Sequence, residues 1–171
     1  WWTEFLAPLM AGKGRYVAAH LDPAVTNEDA RNAINKYAEK LDKNPEVYRS
    51  VELVILFPAT GKTEPVVPGS MDMVLTFRNL HNWIASDQVK PMLEAMYKAL
   101  KPGGYVGVEE HRASKGEPQD PKAKSGYVRE DYAIGLFKDA GFKLVASSDI
   151  NNNPKDTKDH PKGVWNLPPT L

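Results

Sequence analysis

Asp72-Met-Val-Leu-Thr-Phe-Arg-Asn-Leu-His-Asn-Trp83 is a short apolar run that breaks into a dense set of polar and aromatic groups. Met73-Val-Leu75 follows a Pro-Gly-Ser turn and reads as a buried strand. Arg78, Asn79, His81, Asn82 and Trp83 come directly after it. A buried strand that releases such a cluster at its carboxyl end is how open α/β sheets build active sites. The competing account is a strand followed by an ordinary polar loop.

Outward from this stretch, strand and helix patterns alternate. Upstream, Thr3 to Met10 has helical spacing, with Pro8 a weak point. Arg15 to Ala19 reads as a strand. Asn27 caps an amphipathic helix that reaches Lys43, with Ala30, Ile34, Tyr37, Ala38 and Leu41 inward. Val51 to Phe57 is the next strand, and the proline-bearing residues 58–69 cannot be regular structure. Downstream, Ser86 to Leu100 is a helix with Met92, Leu93, Met96, Tyr97 and Leu100 on one face. Lys101-Pro-Gly-Gly104 is a tight turn, and Tyr105 to Glu109 is a strand that ends in Glu110-His111-Arg112. Ala113 to Gly126 reads as a mobile surface segment or lid. Val128 to Ala140 is a helix and Phe142 to Ser147 a strand. Asn151 to His160 is a solvated polar loop, and Val164-Trp-Asn-Leu167 is a last strand, antiparallel to the others. Short turns between alternating elements argue for a mostly parallel α/β sheet in a single domain, residues 1–171.

Composition narrows the function classes. With 171 residues, 42% hydrophobic and 26% charged, the chain can bury its own core. Lys+Arg and Asp+Glu both number 22, so no basic excess points to nucleic acid or an acidic membrane. Cys is absent, which rules out a disulfide framework, a thiolate zinc site and a thiol nucleophile. No apolar run approaches the roughly 20 residues that span a bilayer, and these residues are not expected to include a signal peptide. The expected partner is a small molecule. The chain opens on Trp1-Trp2-Thr3-Glu4, already at helical spacing, so a missing amino-terminal part is the expectation.

Leu100-Lys-Pro-Gly-Gly104 between a helix and a strand resembles the late part of class I S-adenosylmethionine-dependent methyltransferases. Asp72-Met-Val-Leu75 resembles the family's fourth strand, and Ala140-Gly-Phe142 its turn before strand six. The runs 76–83, 110–113, 126–132 and 153–160 look like a little-characterised bacterial group of predicted methyltransferases. The resemblance implies a Rossmann-like methyltransferase sheet that lacks its first strand and glycine-rich turn. It also implies S-adenosylmethionine as cofactor, bound weakly without those glycines. Without a central strand, two half-sheets each keep an unpaired inner edge. Either the flanking strands pair directly, or a second copy exchanges elements in a homo-oligomer. The cofactor is made in the cytoplasm, which favours that compartment, although members of the look-alike group often begin with an export signal.

The resemblance puts Trp2, Thr3, His20, Asp22 and Phe77 on the cofactor side. His111 or His81 is the expected general base, since histidine titrates near neutrality. Arg78 or Arg112 would orient an anionic acceptor, with Asn79, Trp83 and Glu110 on the same rim. Asn153, Asp156 and His160 join them if the polar loop folds over the crevice. A metal site would draw on the four histidines with Glu109, Glu110, Asp156 and Asp159, but no local ligand spacing supports one. Two other function classes compete with methyl transfer. One is a non-catalytic remnant or interaction module that uses an open sheet edge. The other is a metal-dependent or hydrolytic enzyme that uses the His/Glu rim, although no Gly-x-Ser-x-Gly elbow is present.

Overall fold

The computed structural model describes residues 2–22, 24, 28–57 and 66–168. The chain is mixed α/β and divides into two compact units, residues 1–67 and 68–171. The described strands are all parallel and form two separate two-stranded sheets.

In the first unit, α1 (Trp2–Met10) leads to β1 (Tyr16–Leu21). α1 continues through Pro8 and ends as the Lys13 and Gly14 amides donate to the Met10 carbonyl. α2 (Glu28–Asp42) and the single turn α3 (Pro45–Tyr48) carry the chain to β2 (Val51–Phe57). Pro45 stands at the first position of α3, where its missing N–H costs nothing. The crossover makes β2 parallel to β1, with Tyr16 opposite Val51 and His20 opposite Ile55. Ala30, Ile34, Tyr37 and Ala38 are half-buried and Leu41 is buried, which is the face that the helical spacing predicts. Asn27 and the loop at 58–65 lie outside the described residues.

In the second unit, β3 (Met71–Phe77) passes through Arg78 and Asn79 into α4 (Leu80–Ala85), followed by α5 (Val89–Ala99). α4 occupies sequence that reads as a polar loop. Leu80, Trp83 and Ile84 fall at helical spacing and are all buried, so three apolar anchors outweigh the intervening polar residues. α5 buries Met92, Leu93, Ala95, Met96 and Ala99. Tyr97 departs from the expected inward face: it is exposed and packs its ring at 5.2 Å from Phe142. β4 (Leu100–Glu109) pairs with β3. Lys101-Pro-Gly-Gly104 is a bulge inside this strand rather than a separate turn, because the partner jumps from Leu100 to Tyr105 between Met71 and Met73. A Cβ at Gly104 would press on the Asp72 and Lys101 carbonyl oxygens, so the bulge needs glycine there.

Two expected strands are corrected. Phe142 to Ser147 forms no strand: after the Phe142 amide donates to the Phe137 carbonyl, residues 143–148 make no backbone hydrogen bond among the described residues. They wall a cavity of about 240 Å³ whose other sides are Val106 and Val108 of β4 and Ile134 and Phe137 of α6 (Glu130–Asp139). The final antiparallel strand is instead a 3-10 turn, Gly163–Asn166. The Val164 amide is committed to the Ser125 carbonyl at 2.8 Å, and Gly163 adopts a φ of +58° that no strand uses. The Ala113–Gly126 segment is tied down rather than free. Asp120 accepts the Lys122 and Lys124 amides, Gln119 accepts the Arg129 amide, and Ala123 is buried. No described helix is long and apolar enough to cross a membrane.

Candidate functional site

The carboxyl ends of β3 and β4 deliver the chemistry of the second unit. Arg78 adopts a left-handed φ of +53°, uncommon for a residue with a side chain, and donates its amide to the Glu109 carbonyl at 2.8 Å. This single residue turns the chain out of β3 and into α4. Asn79 starts α4 and donates from its side chain to Thr76 Oγ1 at 3.2 Å. His81, in the first turn, is 5% exposed.

Glu110, just past β4, joins these elements. Its Oε2 accepts the His81 amide at 3.1 Å, and its Oε1 pairs with His81 Nδ1 at 2.8 Å. Oε1 also accepts the His111 amide at 2.8 Å. One nearly buried carboxylate therefore fixes both the ring of His81 and the backbone of His111. The His81 and His111 rings stand 6.0 Å apart.

His111 differs from the other two histidines at this end of the unit. His81 is engaged by Glu110, and His160 Nε2 lies 3.1 Å from Asp156 Oδ1. Among the described residues, no hydrogen bond reaches the His111 ring nitrogens. Burial pushes its pKa below the ordinary 6.5. Glu110 and Asp156 oppose the shift, and His81 and Arg78 add to it. His111 is thus neutral at neutral pH, with ring nitrogens open to a reactant.

A second bonded set closes the other side. The Tyr127 ring meets His111 at 6.1 Å, and its hydroxyl donates to Asp156 Oδ1 at 2.8 Å. Burial, then the Asp156 bond, pushes the phenol well above its ordinary 10.0. The Asp156 carboxyl is opposed by its own burial. Hydrogen bonds from Tyr127, the Lys158 amide and His160 still bring it below the ordinary range. Trp165, on the 3-10 turn, meets the His81 ring edge-on at 5.6 Å and is 41% exposed.

Of the expected site residues, Arg78, His81, Glu110, His111 and His160 converge. Arg112 is drawn away, with Nη1 donating to Asp149 at 2.6 Å and Nε lying 3.4 Å from Glu130. Trp83 is buried in the core. Asn153 is exposed, and its side chain accepts the Lys155 amide. Phe77 ends β3, half-buried. In the first unit, the Thr3 hydroxyl lies 2.8 Å from the Tyr37 hydroxyl and 3.4 Å from that of Tyr16, joining α1 to α2 and β1. His20 Nδ1 is 3.2 Å from the Leu21 carbonyl. Asp22 is buried just past β1 and accepts the Ala24 amide. Trp2 is partly exposed. Sequence reading missed Tyr127. Its signal was a lone tyrosine between Gly126 and a valine, on the border of a helix pattern. Among the described residues, no three His, Asp or Glu side chains gather as a metal site would require.

No protein-family model matches the chain, and no curated protein matches it.

Proposed function

We propose that this chain is an S-adenosylmethionine-dependent methyltransferase-like protein that acts on a small molecule, with His111 as the general base. The observation that carries this reading is the neutral, unengaged His111 ring at the carboxyl end of a parallel strand. When bound, S-adenosylmethionine supplies an electrophilic methyl group. The protein's task is then to align the acceptor and take its proton. His111 would receive that proton on a ring nitrogen, and the acceptor's electron pair would form the new bond to carbon as the methyl–sulfur bond breaks and leaves its pair on sulfur. His81 and Glu110 hold the backbone and flank of the base. The same reading takes the two parallel strand pairs as strands of a Rossmann-like scaffold.

Calorimetric titration with S-adenosylmethionine, followed by a methyl-transfer assay over a panel of small acceptors, tests this directly. Binding with turnover that His111→Ala abolishes is expected. No heat at millimolar ligand and no turnover would overturn it. A second reading, an interaction module that pairs with another copy through an open sheet edge, is favoured by Leu53 and Ile55 on β2 and Met73 and Leu75 on β3, all exposed. Light scattering that finds only monomer at high concentration would remove it.

A further inference from the structure

We infer that the cavity between β4, α6 and residues 143–148 binds a medium-chain fatty carboxylate, with its tail inside and its carboxylate at Lys138 and Lys143. This goes beyond the methyl-transfer reading and does not depend on it.

Three walls shape the site. Val106, Val108, Glu110 and Arg112 alternate along β4 and its exit, so their side chains share one face. Ile134 and Phe137 of α6 form a second wall, and residues 143–148 form the third. The Phe142 ring meets Phe137 at 5.6 Å and Tyr97 at 5.2 Å, which fixes the start of the third wall against α6 and α5. Apolar surface is left open here: Val108 is 41% exposed and Leu144 57%. Covering it with hydrocarbon is favourable. At about 240 Å³, the cavity has room for about eight groups the size of a water molecule, which suits a short alkyl chain.

The two ends of the cavity differ in charge. At one end, Arg112 Nη1 donates to Asp149 at 2.6 Å and Arg112 Nε lies 3.4 Å from Glu130. Asp149 follows the third wall and Glu130 opens α6, so one guanidinium ties all three walls together and its charge is answered within the protein. Glu110 is likewise turned to His81 and the His111 amide. At the other end, α6 closes with Lys138 and the third wall opens with Lys143, on either side of the Gly141 turn. Both lysines line the cavity. Among the described residues, no hydrogen bond or ion pair reaches the Nζ of either. An apolar trench closed by an internal ion-pair clamp at one end, and cationic at the other, matches a hydrocarbon tail that carries one anionic head. An uncharged hydrocarbon would leave the lysines unused, and a compact inorganic anion would leave the apolar walls in water.

Octanoate is the probe, followed by methyl NMR of the whole chain. It should shift the Val106, Val108, Ile134 and Leu144 methyls saturably, and leave Leu53 and Ile55, exposed in the first unit, unmoved. Octanol, with the same tail and no charge, should bind about fivefold more weakly. Octylamine should bind more weakly still, and acetate should give no shift. Lys138 and Lys143 are exposed, so the double variant Lys138→Gln, Lys143→Gln keeps its fold. It should bind octanoate only as well as it binds octanol, with the octanol affinity unchanged from wild type. Ala133→Phe, which fills the cavity, should remove binding of both. Equal affinity of the wild type for octanoate and octanol would overturn the carboxylate assignment. Shifts that never saturate, or that reach Leu53 and Ile55 equally, would overturn the site itself. The readout needs neither cofactor nor turnover, so its failure is separate from failure of the methyl-transfer reading.

Discussion

Removing the Glu110 carboxylate is the sharpest perturbation this structure offers. Three donors converge on it: the His81 amide, His81 Nδ1 and the His111 amide, all at 2.8–3.1 Å. The side chains of His81 and Glu110 are 6% and 9% exposed, so water cannot readily replace the lost acceptor. In Glu110→Gln, the amide oxygen can serve one side of the fork while the NH₂ group faces a backbone N–H on the other. One orphaned donor costs about 1–3 kcal/mol. Glu110→Ala orphans all three and breaks a buried pair, for a loss of about 3–5 kcal/mol. Urea unfolding followed by tryptophan fluorescence, with Trp83 buried nearby in the fold of α4, gives both values. Lys101→Ala serves as the control, since its pair with Asp72 is exposed and worth less than about 1 kcal/mol. A Glu110→Ala midpoint within error of the control would refute the account of Glu110 as the tie between α4 and the end of β4.

Three further outcomes follow from the same geometry. Burial holds the His111 pKa below 6.5, so the folded state binds fewer protons than the unfolded chain between the folded pKa and 6.5. His111 therefore costs no stability above 6.5, and its cost grows as pH falls from 6.5 through the folded pKa. His111→Gln should lose that acid-side slope in a pH series of urea midpoints. A Cβ at Gly163 would collide with the Ser125 carbonyl at a position already at φ +58°. Gly163→Ala should cost about 1–3 kcal/mol and speed hydrogen exchange at the Val164 amide. Asp156→Asn removes the acceptor that adds to the high Tyr127 pKa, so the phenol should titrate lower by ultraviolet absorbance, yet still above 10.0 because burial remains the larger cause.

How much of this was legible in the sequence depended on range. Helical spacing placed α2 and α5, and the apolar runs placed β2 and β3, because each carries its own periodicity. α4 was hidden because His81 and Asn82 interrupt Leu80, Trp83 and Ile84 in a window too short for a period to emerge. Phe142 to Ser147 carries a strand-like composition, but a strand is defined by its partner, and no local pattern announces a partner's absence. The site followed the same rule. His81 and His111 stood out as polar ends of apolar strands. The Tyr127–Asp156 bond joins residues 29 positions apart and depends on where the Gly163 turn docks. Arg78 and Arg112 read alike in sequence, and only the positions of Asp149 and Glu130 tell them apart.

The unpaired run at 143–148 also bears on how the protein behaves in the tube. Among the described residues, its amides and carbonyls are unclaimed by other backbone, and Val145 is 75% exposed. Such a ribbon is a template for sticking to its own kind. With formal charges that cancel at neutral pH, no long-range repulsion keeps two molecules apart. Colloidal stability should therefore be poorest near pH 7 and improve on either side. Turbidity should grow faster than linearly with concentration, because the first event is an encounter between two molecules. A charged residue in place of Val145 should slow that growth without touching the histidine cluster.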